Sequence, residues 1–140
     1  MKDFSVSDAQ LIEKALAARD NAYCPYSNIS VGAALLTEDG SVYDGANVEN
    51  AAFTPGICAE RVAIFKAVSD KHLKFKSIAI VGGKEGCGVQ KHFTPCGVCR
   101  QVMSEFCDED FRIIVYDAKS TREYTLGELL PYGFDKKALE

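Results

Sequence analysis

Two stretches far apart in the chain constrain its fold more than any other feature: Cys58-Ala59-Glu60 and Pro95-Cys96-Gly97-Val98-Cys99. Pro95 sits where prolines are tolerated, at or just before the first turn of a helix expected over 96–106. Cys96 and Cys99, three apart on that turn, can face one point. Thr54-Pro55-Gly56 makes a turn just before Cys58, and the apolar pattern from Arg61 to Val68 then predicts a second helix with Cys58 at its start. Amides and positive dipole ends at two helix starts favour ionised thiols. Three thiols and one unattached carboxylate are what a zinc ion with an open position and a neighbouring proton shuttle requires.

Other readings attach to the same residues. A lone Cys-x-x-Cys can be a redox pair, and a four-ligand structural zinc site is a further rival. Such a site normally closes with a second ligand pair, whereas neither Arg61 nor Val62 gives Cys58 a Cys or His partner. Glu60 could reach a water on the metal without being a ligand; alone, it would be a favourable helix N-terminal charge.

The remaining elements follow from local patterns. Ser7-Asp8-Ala9-Gln10 forms a capping box for a helix over 8–22, ended by Cys24-Pro25. The apolar run 29–37 and Ser41-Val42-Tyr43 flank Asp39-Gly40, which signals a hairpin. Gly32, Ala33 and Ala34 permit close approach of a packed helix. The helix after Cys58 is expected to be buried on most sides. A strand over 77–81 is stopped by Gly82-Gly83, and 83–94 reads as a loop. Runs 111–116 and 122–124 are strands, and 126–130 a final helical turn or two. Strand and helix alternation after the hairpin implies a partly parallel sheet covered on both faces, a single α/β/α sandwich over residues 1–140.

The six cysteines suit metal binding or catalysis in a reducing compartment better than disulfides. Met1-Lys2-Asp3-Phe4 has no apolar leader core, and no stretch approaches the roughly 20 apolar residues of a membrane span, so a cytosolic location is expected. A net charge of -4 with scattered lysines and arginines is a poor footprint for a phosphate backbone and favours a small substrate over nucleic acid. Cys24, Cys87 and Cys107 are expected as a buried small residue, a loop thiol and a helix thiol, with His72 and His92 facing solvent.

The paired stretches match the zinc deaminase signature with a cysteine in place of histidine. Together with Tyr23-Cys24-Pro25-Tyr26-Ser27, Val31-Gly32-Ala33-Ala34-Leu35, Asn47-Val48-Glu49-Asn50-Ala51-Ala52, Arg100-Gln101 and Glu128-Leu129-Leu130-Pro131, they make nearly the whole chain resemble the small, three-cysteine, homotetrameric cytidine deaminases. The resemblance implies a mixed five-stranded sheet and one zinc ion per subunit on Cys58, Cys96 and Cys99. It implies hydrolytic deamination of cytidine and 2′-deoxycytidine in pyrimidine salvage: hydroxide attacks C4, while Glu60 protonates N3 and carries a proton to the departing ammonia. Arg61 would offset the excess thiolate charge. Asn47 and Glu49 would hold the ribose, backbone groups around Ala59 and Pro95 would line the base pocket, and Phe134 would enter a neighbouring subunit's site.

Two positions depart from that pattern. Ile29 stands where relatives usually carry phenylalanine, removing a stacking face, and Phe53 where many carry tyrosine, removing a hydroxyl. A deaminase of blasticidin-type aminopyrimidine antibiotics is the alternative of the same chemistry. A nucleic-acid editing protein and an inactive structural zinc module are rivals of other classes.

Overall fold

The computed structural model describes residues 6–89 and 91–140, so the Met1-Lys2-Asp3-Phe4 reading lies outside the described residues. Helix α1 spans Asp8–Arg19 and begins on the expected capping box: Gln10 N–H donates to Ser7 Oγ (3.2 Å) and Ser7 N–H to Gln10 Oε1 (2.9 Å). It ends three residues earlier than the pattern predicts. The Asn21 and Ala22 amides turn back to the carbonyls of Ala18 and Arg19, and the Tyr23 amide is taken by Asn47 O.

Strands β1 (Ile29–Thr37) and β2 (Val42–Ala46) form the predicted antiparallel hairpin, with Gly40 at φ 93 in the turn. Helix α2 (Ala59–Ser69) leads to β3 (Phe75–Lys84), α3 (Gly97–Phe106) to β4 (Arg112–Tyr116), and β5 (Thr121–Thr125) to the short α4 (Leu126–Leu129). A 3₁₀ turn, Lys136–Leu139, capped by the Asp135 side chain, has no counterpart in the sequence reading. The strands order as β2-β1-β3-β4-β5, with β3 and β4 parallel and the other neighbours antiparallel.

The sheet is mixed and five-stranded as expected, because side-chain alternation on the central strands feeds two separate apolar layers. Ala33, Leu35, Ile78, Ile80, Ile113 and Val115 face α2 and α3, while Ala34, Leu36, Ala79, Val81 and Ile114 face α1. That is the α/β/α arrangement, with α2 and α3 on one face and α1 on the other.

Several expectations change. Gly82-Gly83 do not stop β3: they pair with Val31 and Ser30, and a Cβ on Gly82 would come within 2.7 Å of the Phe93 ring. At Gly82 the missing side chain makes room for an aromatic that crosses the strand. Helix α2 buries only the stripe Ala59, Glu60, Ala63, Ile64 and Ala67, leaving Phe65 exposed and Lys66 bound to the Asp44 carboxylate at 2.8 Å. Neither histidine is free in solvent. Both are half-buried, His72 beside Asp39 (3.3 Å) and His92 Nε2 against the Tyr124 hydroxyl (2.8 Å). Cys24 is buried, Cys87 exposed, and Cys107 half-buried at the end of α3.

The approach predicted at Gly32 is made by α1, since a Cβ there would lie 2.0 Å from Ala15 O and 2.7 Å from Arg19 N. Both atoms are backbone, so the helix itself would have to move. Gly32→Ala is therefore expected to cost about 3 kcal/mol, seen as a lower melting temperature. An unchanged melt would mean that α1 shifts freely.

Candidate metal centre

Cys58 and Cys96 are the N-cap residues of α2 and α3, in extended backbone, and neither side chain caps its helix. Their sulfurs are thus free to turn toward one another. Cys99, on the first turn of α3, completes the group from beneath, fully buried. Cys58 Sγ lies 3.7 Å from Cys96 Sγ, which lies 3.5 Å from Cys99 Sγ, and all three fall within 4.8 Å of one another. Sulfurs at about 2.3 Å from a tetrahedral zinc would be about 3.8 Å apart, so the three residues fit that ion. Among the described residues no other group of His, Cys, Asp and Glu side chains converges this way.

The cluster is prepared for a cation. Cys58 is drawn down to about 5, first by the neighbouring Cys99 thiol and then by the hydrogen bonds with Arg61 and Cys96. Cys99 is correspondingly raised. Arg61 Nη2 donates to Cys58 Sγ at 3.4 Å, while its buried Nε has no partner. The guanidinium therefore belongs to the thiol cluster and not to the surface of α2.

Glu60 follows one residue into α2 and is 4% exposed. Burial pushes its carboxyl up to about 7, with the Cys58 charge adding to the effect. Such a group holds or releases a proton near neutrality. It lines a cavity of about 550 Å³ together with Asn47, Glu49, Cys58, Ala59 and Arg61. That is the size of a small-molecule pocket.

Asn47 and Glu49 reach this wall from a bridged segment, Val48 pairing with both Tyr23 and Ile57. Their side chains alternate to the same side. Asn47 takes the Val31 amide on Oδ1 (2.8 Å) and donates Nδ2 to Ile29 O (2.9 Å), leaving one amide hydrogen for a ligand. Glu49 accepts the Tyr26 and Ser27 amides on Oε1, both at 3.0 Å, and the Ser27 hydroxyl on Oε2. Those Ser27 bonds hold its carboxyl below its ordinary range.

The other expected residues are placed differently. Pro95 is buried behind the wall formed by Thr94 and Cys96, its carbonyl taken by Arg100 Nε at 2.7 Å. Phe134 stands outside its own chain's cavity, 63% exposed, its carbonyl bound by Gln101 Nε2 at 2.7 Å. Ile29 is not part of the wall, while Phe53 lies on the rim, almost wholly exposed. Phe93 and Thr94 line the cavity without any periodic signal in the loop that carries them. Arg100 was readable only as a neighbour of Cys99; it joins Pro95 to Leu129 O (2.7 Å) and so ties the pocket wall to the end of α4.

The family model for the cytidine and deoxycytidylate deaminase zinc-binding region matches residues 5–115. A cytidine deaminase of Sporosarcina psychrophila is 46% identical over 131 residues, covering 93% of each chain. The crystal structure of cytidine deaminase from Burkholderia pseudomallei superposes with a TM-score of 0.83 at 42% identity, over 92% of this chain and 100% of that one. A blasticidin-S deaminase of Bacillus cereus is more distant, 29% identical over 97% of this chain and 99% of its own.

Replacing Cys58, Cys96 or Cys99 by serine is expected to weaken zinc uptake by at least about tenfold in chelator competition. The same change at Cys24, Cys87 or Cys107 should leave uptake unaltered. Equal losses at both sets would dissociate the metal from the cluster.

Proposed function

The chain belongs to the cytidine and deoxycytidylate deaminase zinc-binding family, and from that premise we propose that it is a cytidine deaminase, converting cytidine and 2′-deoxycytidine with water to the uridine forms and ammonia. One observation carries this reading: the buried carboxyl of Glu60 stands beside three converging thiols in a cavity that also presents Asn47 and Glu49.

Cys58, Cys96 and Cys99 would hold one zinc ion per chain. When bound, zinc supplies Lewis-acid activation of the water that attacks C4. Glu60 performs the proton work. Its carboxyl donates to N3 of the pyrimidine as water adds to C4; the resulting carboxylate takes one proton from the added oxygen and passes it to the amino group, then takes the second, which leaves the oxygen as a carbonyl and restores the carboxyl. The C4–N bond breaks, ammonia leaves, and a C4 carbonyl remains. An affinity near neutrality suits one group to both roles, because neither form is costly at working pH.

Arg61 donates to the Cys58 sulfur and offsets negative charge that would otherwise blunt the Lewis acid. The ribose lies against Asn47, which offers one N–H, and Glu49, which offers one acceptor, a pairing suited to a sugar hydroxyl. Ala59 and the Thr94-Pro95 segment flank the base. The antibiotic-deaminase alternative draws on a relative at 29% identity and is outweighed by those at 46% and 42%.

The wider reading is a single catalytic domain over residues 1–140 working in pyrimidine salvage in the cytosol, consistent with six free thiols. A homotetramer with shared sites is supported by the exposure of Phe53, Phe65, Tyr132 and Phe134. Among the described residues no helix is long and apolar enough to cross a membrane.

Loss of cytidine absorbance on addition of the zinc-loaded protein tests the proposal; absence of turnover would overturn it. Glu60→Gln should retain zinc and melting temperature while losing about a thousandfold in rate. Arg61→Ala should reduce turnover more than zinc content, and an unchanged rate would remove Arg61 from the mechanism.

A further inference from the structure

Asn47 and Glu49 do not stand alone in the pocket wall: both are fastened to one stretch of backbone, residues 26–31. Asn47 is held by the Ile29 carbonyl and the Val31 amide, and Glu49 by the Tyr26 and Ser27 amides. That stretch is itself tied down. Asn28, in the left-handed region at φ 59, donates its amide to Cys24 O (3.0 Å) and receives the Glu85 amide on its carbonyl (2.7 Å). The loop is therefore a fixed platform for the two side chains.

Within it, the Ser27 hydroxyl has a defined direction. Its oxygen accepts the Ile29 amide at 3.0 Å, so its hydrogen is left to donate to Glu49 Oε2. A carboxylate offers about four acceptor positions. Two on Oε1 are filled by backbone amides and one on Oε2 by Ser27, which leaves a single position on Oε2 of a side chain that lines the cavity.

We propose that Ser27 is a positioning residue for the reaction: its hydroxyl fixes the rotation of the Glu49 carboxylate so that one oxygen lone pair is presented to one sugar hydroxyl. This rests on the nucleoside reading above. Without Ser27 the two amides still hold Oε1, but Oε2 is free to rotate or to take water in place of the ligand. The cost falls on sugar binding and not on proton transfer, because the hydrogen bonds of Ser27 run to Glu49 and Ile29 and not to Glu60 or the thiols.

The test compares wild type, Ser27→Ala and Ser27→Thr, each zinc-loaded and matched for metal content and melting temperature. Ser27→Ala should raise KM for cytidine by ~10-fold with kcat nearly unchanged, the effect of losing one charge-assisted hydrogen bond. With 2′,3′-dideoxycytidine, which keeps the base but lacks those sugar hydroxyls, the same variant should behave as wild type. Ser27→Thr, which keeps the hydroxyl, should restore cytidine KM. Calorimetric titration should show the same loss for uridine and none for 2′,3′-dideoxyuridine. An equal loss on the dideoxynucleosides, a fall in kcat at constant KM, or no loss with cytidine and uridine would overturn the assignment. A wild type that binds uridine but does not turn over cytidine would overturn only the functional reading, since the titration still reports on Ser27.

Discussion

The structure depends on bringing two helix starts together around three sulfurs. Thiols packed 3.5 and 3.7 Å apart would repel one another if all were ionised in an apolar setting. Two features make the cluster tolerable: the positive ends of α2 and α3, and the Arg61 guanidinium. The same concentration of negative charge, with burial, keeps the neighbouring Glu60 able to hold a proton. The lowered Cys58 thiol and the raised Glu60 carboxyl are two consequences of one electrostatic arrangement.

That arrangement needs the sheet. Helices α2 and α3 pack on one face, α3 in the connection that joins the parallel pair β3 and β4, while among the described residues α1 is the helix on the other face. The close seats for these helices are cut by glycines. Gly32 admits the α1 backbone, and Gly45 admits α2, where a Cβ would meet Ala59 O at 2.5 Å. Since Ala59 lies between Cys58 and Glu60, packing at β2 sets the height of the catalytic helix start above the sheet.

Much of this was legible in local pattern. The capping box at Ser7, the Asp39-Gly40 hairpin and the Pro95 helix start all report on backbone chemistry within a few residues. Other features were not. Gly82-Gly83 look like a strand end until Phe93, from a loop without periodicity, is seen to cross Gly82. His92 looks like a loop histidine until Tyr124 meets it from β5. The exposure of Phe65 contradicts an apolar helix pattern because one chain covers only one stripe of α2.

By itself the sequence pointed to three thiols and one carboxylate and to helices that begin at Cys58 and Cys96, since caps and turns are written in neighbouring residues. Tertiary structure alone decided how those groups face one another. The approach of Cys58 to Cys96, the seating of Gly45 against Ala59, and the anchoring of Glu49 by Ser27 join residues distant in sequence. Such contacts depend on strand register and helix height, which a one-residue change alters and no local pattern encodes.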